Sequence, residues 1–345
     1  MKKIRIAGWI ALLSAFIALP TAAFEPPPNG SYEELAKLVP CDARMVIYEN
    51  ATKIYESGWY ERIKALPIAG KLFEQSVQIK DGNVIMFSGD LKSSPNLSAL
   101  FYWKDSSGID ELAKMERAGF TAMDCSVSVE NIELNGHPGF KMTTPGMPME
   151  MRFIQLAPDW FMFGMDERSM SSYLALGPDK LGMNPEMAKV LEPYKDKMFF
   201  GTVMVPQDEQ KEMSRIDFFG DITAEAMTLK LVVICRDNKC AVEGETAIKQ
   251  IMPMMFAAAD QEMPGISKLL SDSIKVSVEG GDLVIDVVIP VDKMDQLIVM
   301  TSEFVKQRQE QLKAEMEAAK TAAEAAQSYK ATVEVKADEP APAVK

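Results

Sequence analysis

The stretch Ser126-Val-Ser-Val-Glu-Asn-Ile-Glu-Leu-Asn-Gly-His-Pro-Gly-Phe-Lys-Met-Thr143 decides the fold class. Val127, Val129, Ile132 and Leu134 alternate with polar residues up to Asn135-Gly136, after which Phe140 to Thr143 resumes the apolar pattern. A period of two on either side of Asn-Gly is the signature of a β-hairpin, because those residues accept the positive φ that a tight turn needs. Met149 to Leu156 and Trp160 to Met165 read the same way around Ala157-Pro158-Asp159. So do Ile274 to Glu279 and Leu283 to Ile289 around Gly280-Gly281-Asp282. Hairpins with alternating polarity imply antiparallel sheets with one face covered by helices. Strict strand–helix alternation is missing, so a doubly wound parallel sheet is disfavoured, and the expected class is α+β.

Helix signals fall between the hairpins. Ser31-x-x-Glu34 is a capping box, Ser107 starts a helix to Ala118, Asp166 caps one to Leu176, and Asn184-Pro185 opens another. Helices are also expected over Thr52–Leu66, Gly70–Gln78, Gln207–Phe218 and Thr246–Ala259, with a long final helix capped by Asp292. Further strands are expected over 44–49, 84–88, 97–104, 198–205 and 227–235. Two halves then share an element order, a β-α-β-β-α-β-β unit over 44–176 and again over 198–305. The first carries one extra hairpin, and no residue identity links the two. An internal duplication is one reading; two unrelated α+β halves are the other.

These patterns divide the chain. Residues 1–23 have the order of a signal peptide: Lys2, Lys3 and Arg5 precede an uncharged apolar run from Ile6 to Leu19, and Pro20 then leads to Thr21-Ala22-Ala23. The run holds 14 residues, against about 20 for a bilayer-spanning helix, so cleavage after Ala23 is expected. Residues 24–182 form a first α+β domain and 183–305 a second. Residues 306–330 make an Ala/Glu/Lys helix with little to bury, and 331–345 a disordered tail. On that helix Leu312 and Met316 are the pair that can meet a partner.

Export sets the expectations for cysteine and charge. Four cysteines in an oxidising compartment suggest two disulfides. A two-residue turn at Asp237-Asn238 places Cys235 opposite Cys240 on paired strands within disulfide reach; Cys41 and Cys125 then pair by default. The chain carries a formal charge of −13, and losing the three leader cations gives −16. That disfavours nucleic acid and anionic membrane surfaces as partners. The expected product is soluble and periplasmic or extracellular.

Chemistry is harder to find. The one histidine, His137, sits in a turn, with no Gly-x-Ser-x-Gly elbow, phosphate-binding loop or dinucleotide fingerprint beside it. No cofactor is implied. Asp217 and Asp221 stand four apart, with Gly220 breaking any helix between them. Methionine is the unusual count, 25 residues. Met142, Met147, Met149 and Met151 offer soft thioethers of the kind that bind Cu(I), although the role of flexible core filler is the stronger reading and Cu(I) the minor alternative. A second cluster is Met252-Pro253-Met254-Met255. The leading reading is a non-enzymatic exported protein that binds a ligand or a protein. The alternatives are a hydrolase with dispersed carboxylates and an envelope assembly component using the C-terminal helix.

Overall fold

The computed structural model describes residues 26–64, 80–89, 97–122, 127–143, 150–205, 212–301 and eight scattered helical positions between 303 and 321. It is α+β. Eight α-helices with complete bounds and twelve strands are present among the described residues, and residues 291–301 are the described start of a further helix. The first half runs α1 (Tyr32–Ala36), β1 (Met45–Glu49), α2 (Ala51–Glu56), α3 (Trp59–Lys64), β2 (Gly82–Ser88), β3 (Ser98–Trp103) and α4 (Ile109–Ala122). It continues with β4 (Ser128–Leu134), β5 (His137–Thr143), β6 (Glu150–Ala157), β7 (Trp160–Gly164) and α5 (Glu167–Leu174). The second half runs α6 (Pro185–Leu191), β8 (Phe199–Met204), β9 (Met213–Ile222), β10 (Ala226–Cys235), α7 (Asn238–Glu262), α8 (Ile266–Leu270), β11 (Ile274–Glu279) and β12 (Asp282–Pro290).

The opening hairpin is β4–β5. Asn135 and Gly136 both take positive φ, 50° and 82°, which matches the twist of the flanking strands. All twelve strands join one sheet in the order β11-β12-β10-β9-β8-β1-β2-β3-β7-β6-β5-β4. Every pair in it is antiparallel. The halves therefore share a single sheet. They meet where β1 pairs with β8, Ile47 standing opposite Gly201.

One row of cross-strand neighbours explains where the core lies. From β11 to β4 it reads Lys275, Asp286, Lys230, Phe219, Phe200, Tyr48, Ile85, Leu100, Met162, Ile154, Gly139, Ile132. The row is charged for three strands and then turns apolar. Its apolar middle is buried with Leu35 and Val39 near the N-terminus, Met170 and Tyr173 of α5, and Met187 and Leu191 of α6. Each such large side chain taken from water contributes about 1.5–3 kcal/mol. On the opposite face Leu112 of α4 packs with Phe101, Phe140, Met142, Phe153 and Phe161. Farther along that face, Ala241 of α7 packs with Val276 and Leu283.

Three expected elements differ. The strand expected to pair Cys240 with Cys235 after a turn at Asp237-Asn238 instead belongs to α7, because Asp237 is its N-cap and accepts from the Cys240 amide at 2.9 Å. An Asp that suits a turn suits a helix start equally. The helix expected over Gln207–Phe218 gives way to β9 from Met213 onward, where Ile216, Phe218 and Ile222 alternate with Arg215, Asp217 and Asp221; residues 206–211 lie outside the described residues. The helix expected from Thr52 breaks at Gly58, whose φ of 75° ends α2 before α3 starts. The leader, Gly70–Gln78 and the tail lie outside the described residues, and no described helix is long and apolar enough to cross a membrane.

Candidate binding cleft

The residue row of the sheet changes from charged to apolar at Phe219, and a cleft opens there. Its volume is about 480 Å³. Met204 of β8 and Arg215 and Asp217 of β9 form its floor; Glu186, Lys189 and Val190 of α6, with Pro193 and Tyr194 just after it, form its wall. The wall exists because Asn184 caps α6, its side chain accepting from the Glu186 amide at 2.8 Å, and Pro185 sets the first helical φ. Met187 and Leu191 of the same helix are buried in the core, so Glu186, Lys189 and Val190 are left toward the cleft. The ring of Tyr194 lies flat on Phe219, centroids 4.2 Å apart at 14°. Partial burial, and after it the charge of Asp217, pushes the Tyr194 hydroxyl above its ordinary pKa.

The floor is an ion pair with one buried end. Asp217 is 2% exposed and Thr202 is fully buried. The Thr202 hydroxyl donates to Asp217 Oδ1 at 2.7 Å. Arg215 Nε donates to both carboxylate oxygens, at 2.9 and 3.0 Å. Four residues on, Asp221 accepts from Lys197 Nζ at 2.6 Å and from the Met198 amide at 3.0 Å. Asp217 and Asp221, noticed in the sequence for their spacing, thus lie on one face of one strand, about 13 Å apart at the rise of a β-strand. Each is matched to a cation on its own side.

The other sequence candidates are scattered. Met142 is fully buried among the phenylalanines of β5, β6 and β7, and Met151 stands opposite it in register and packs against that cluster. Met147 and Met149 lie outside the described residues. Met252 packs inward from α7, while Met254 and Met255 are 72% and 64% exposed. His137 opens β5 half-buried. Cys41, Cys235 and Cys240 carry free thiols. Cys125, Leu312 and Met316 lie outside the described residues. Cys235 ends β10 and Cys240 sits in the first turn of α7, so they face each other across a strand end and a helix start. Cys240 Sγ donates to the Glu212 carbonyl at 3.1 Å. Partial burial and the neighbouring Cys235 raise the pKa of the Cys240 thiol.

The cleft itself had one sequence signal, the Asn-Pro start of α6. Nothing in the sequence marks Arg215, which lies in a strand where a helix is expected.

No family model and no curated protein matches the chain. Among solved structures it is similar to TP0453 in crystal form I, at 13% identity and TM-score 0.38 over 81% of this chain and 98% of that one. Crystal form III of TP0453 gives 11% identity and TM-score 0.39 over 77% and 97%. Superpositions of that depth transfer neither fold nor function.

Proposed function

We propose that this chain is an exported, non-enzymatic binding protein whose ligand lies in the cleft between α6 and β8–β9. The observation that carries the reading is the cleft itself: about 480 Å³, with the apolar side chains of Val190, Pro193, Tyr194 and Met204 beside a braced ion pair. Small-molecule sites combine this volume range with mostly apolar walls and a few fixed polar groups. Export rests on the order of residues 1–23. In that compartment the Cys235–Cys240 pair closes to a disulfide by exchange with a small-molecule disulfide, which leaves as two thiols.

A duplicated origin for the two halves is part of the same proposal. Its support is the strand order: three strands step outward from the β1–β8 pair in each half. A helix follows, and the remaining strands step back to lie beside the third.

The cleft reading is tested by screening a fragment library against residues 24–345 by ligand-detected NMR, with Val190→Trp as the variant that fills the cleft. Hits lost in that variant are expected. Hits that all survive it, or turnover of a substrate in a broad hydrolase panel, would overturn the reading.

A further inference from the structure

The arrangement of Arg215 narrows the ligand. Its Nε–H is taken by both oxygens of Asp217. None of the hydrogen bonds or ion pairs among the described residues uses its two terminal amino nitrogens. Asp217 is buried and its Oδ1 also accepts from the Thr202 hydroxyl, so the carboxylate is held in place and anchors the guanidinium through Nε. The edge carrying both terminal nitrogens is the one turned from Asp217, and Arg215 lines the cleft. Two coplanar N–H groups on one edge grip a planar carboxylate in a two-point bond.

Charge argues for a single negative charge on the ligand. The lining carries two cations, Arg215 and Lys189, and two anions, Asp217 and Glu186, so its charges balance. No surplus of positive charge remains for a dianionic phosphate, and the chain as a whole carries −13. A monoanion that also offers apolar surface gains from Val190, Pro193, Met204 and the Tyr194 ring, which is already held flat by Phe219.

We infer that the cleft binds organic carboxylates with an apolar body, the carboxylate on the free edge of Arg215 and the body along the α6 wall. This rests on the cleft being the ligand site. The carboxylate has two natural sources, a free carboxylic acid or the C-terminus of a peptide.

The test is calorimetric titration of residues 24–345 with 4-phenylbutyrate and 4-phenylbutanamide, with N-acetyl-alanyl-phenylalanine and its C-terminal amide, and with inorganic phosphate. Each acid is expected to bind at least about tenfold tighter than its amide, the size of one charge-assisted two-point bond. Arg215→Gln combined with Asp217→Asn removes both charges without stranding a buried carboxylate, and should erase the acid–amide difference. Arg215→Lys, which keeps the charge and loses the planar fork, should shrink it severalfold. The tighter of the two acids names the source. Acids and amides binding alike to the unaltered chain, or phosphate binding more tightly than either acid, overturns the carboxylate assignment. If fragments bind in a Val190-dependent way while none of these probes does, the carboxylate assignment falls alone. If nothing binds the cleft at all, it falls together with the cleft.

Discussion

Replacing Asp217 by Ala isolates the energetics of the cleft floor. The substitution removes two charge-assisted contacts and leaves two partners behind, and the cost differs between them. Thr202 is fully buried, so its hydroxyl loses its acceptor with no water to replace it, at about 1–2 kcal/mol. The Arg215 side chain is 27% exposed and can turn to solvent, so its share is taken at the low end, about 1.5–2 kcal/mol. The sum is about 2.5–4 kcal/mol, equivalent to a fall in Tm of about 5–8 °C at about 2 °C per kcal/mol for a chain of this size. The assay is scanning calorimetry of residues 24–345. A control sharpens it: Thr202→Val, Arg215→Met and Asp217→Leu together replace the whole network by apolar groups of similar size. Because removing all partners strands none of them, the triple variant should melt within about 2 °C of the parent. A single variant that melts within about 1 °C of the parent would refute the claim that the pair is held by burial. A triple variant that falls as far as the single one would show that shape, not unpaired groups, sets the cost.

Three further predictions follow from other parts of the sheet. Oxidation with glutathione disulfide should link Cys235 to Cys240, lowering the mass by two hydrogens and raising stability by about 2 kcal/mol for so short a loop; linkage to Cys41 or Cys125 in the peptide map, or no change in melting, counts against it. Gly220→Ala should cost at least about 2 kcal/mol, because a Cβ there meets the Thr228 carbonyl oxygen and the Phe199 ring; urea midpoints at or above the parent's would contradict this. Burial raises the pKa of Glu49 above its ordinary value. A carboxyl with a raised folded pKa favours the folded state below the unfolded pKa and loses that contribution as pH rises through the folded value. Glu49→Gln should therefore stabilise the protein more at pH 7 than at pH 4, and equal gains at both pH values would show that the carboxyl titrates normally.

Much of the strand content was legible in the sequence. The hairpins β4–β5, β6–β7 and β11–β12 stand where the period-two patterns and turn residues put them, because those signals are local. The caps at Ser31, Asp166 and Asn184 were legible for the same reason: each is one side chain reaching an amide two or three residues on. The misreadings also have local causes. Asp237 satisfies a turn and a helix cap alike. Around Arg215, a composition that also suits a helix competes with the alternation that the sheet imposes.

By itself, then, the sequence determined the α+β class, the antiparallel hairpins, the strong acidity and the export-like order of residues 1–23. Backbone turns, pleat period and charge depend on neighbours a few residues apart. The tertiary structure alone decided that all strands join one sheet, since the β1–β8 pairing brings together segments about 150 residues apart. It alone decided that Cys240 sits on a helix. It alone assembled the cleft, because a wall from α6 and a floor from β8–β9 meet only when the apolar middle of one long residue row draws α6 onto the sheet and the charged end of that row leaves the next strands open.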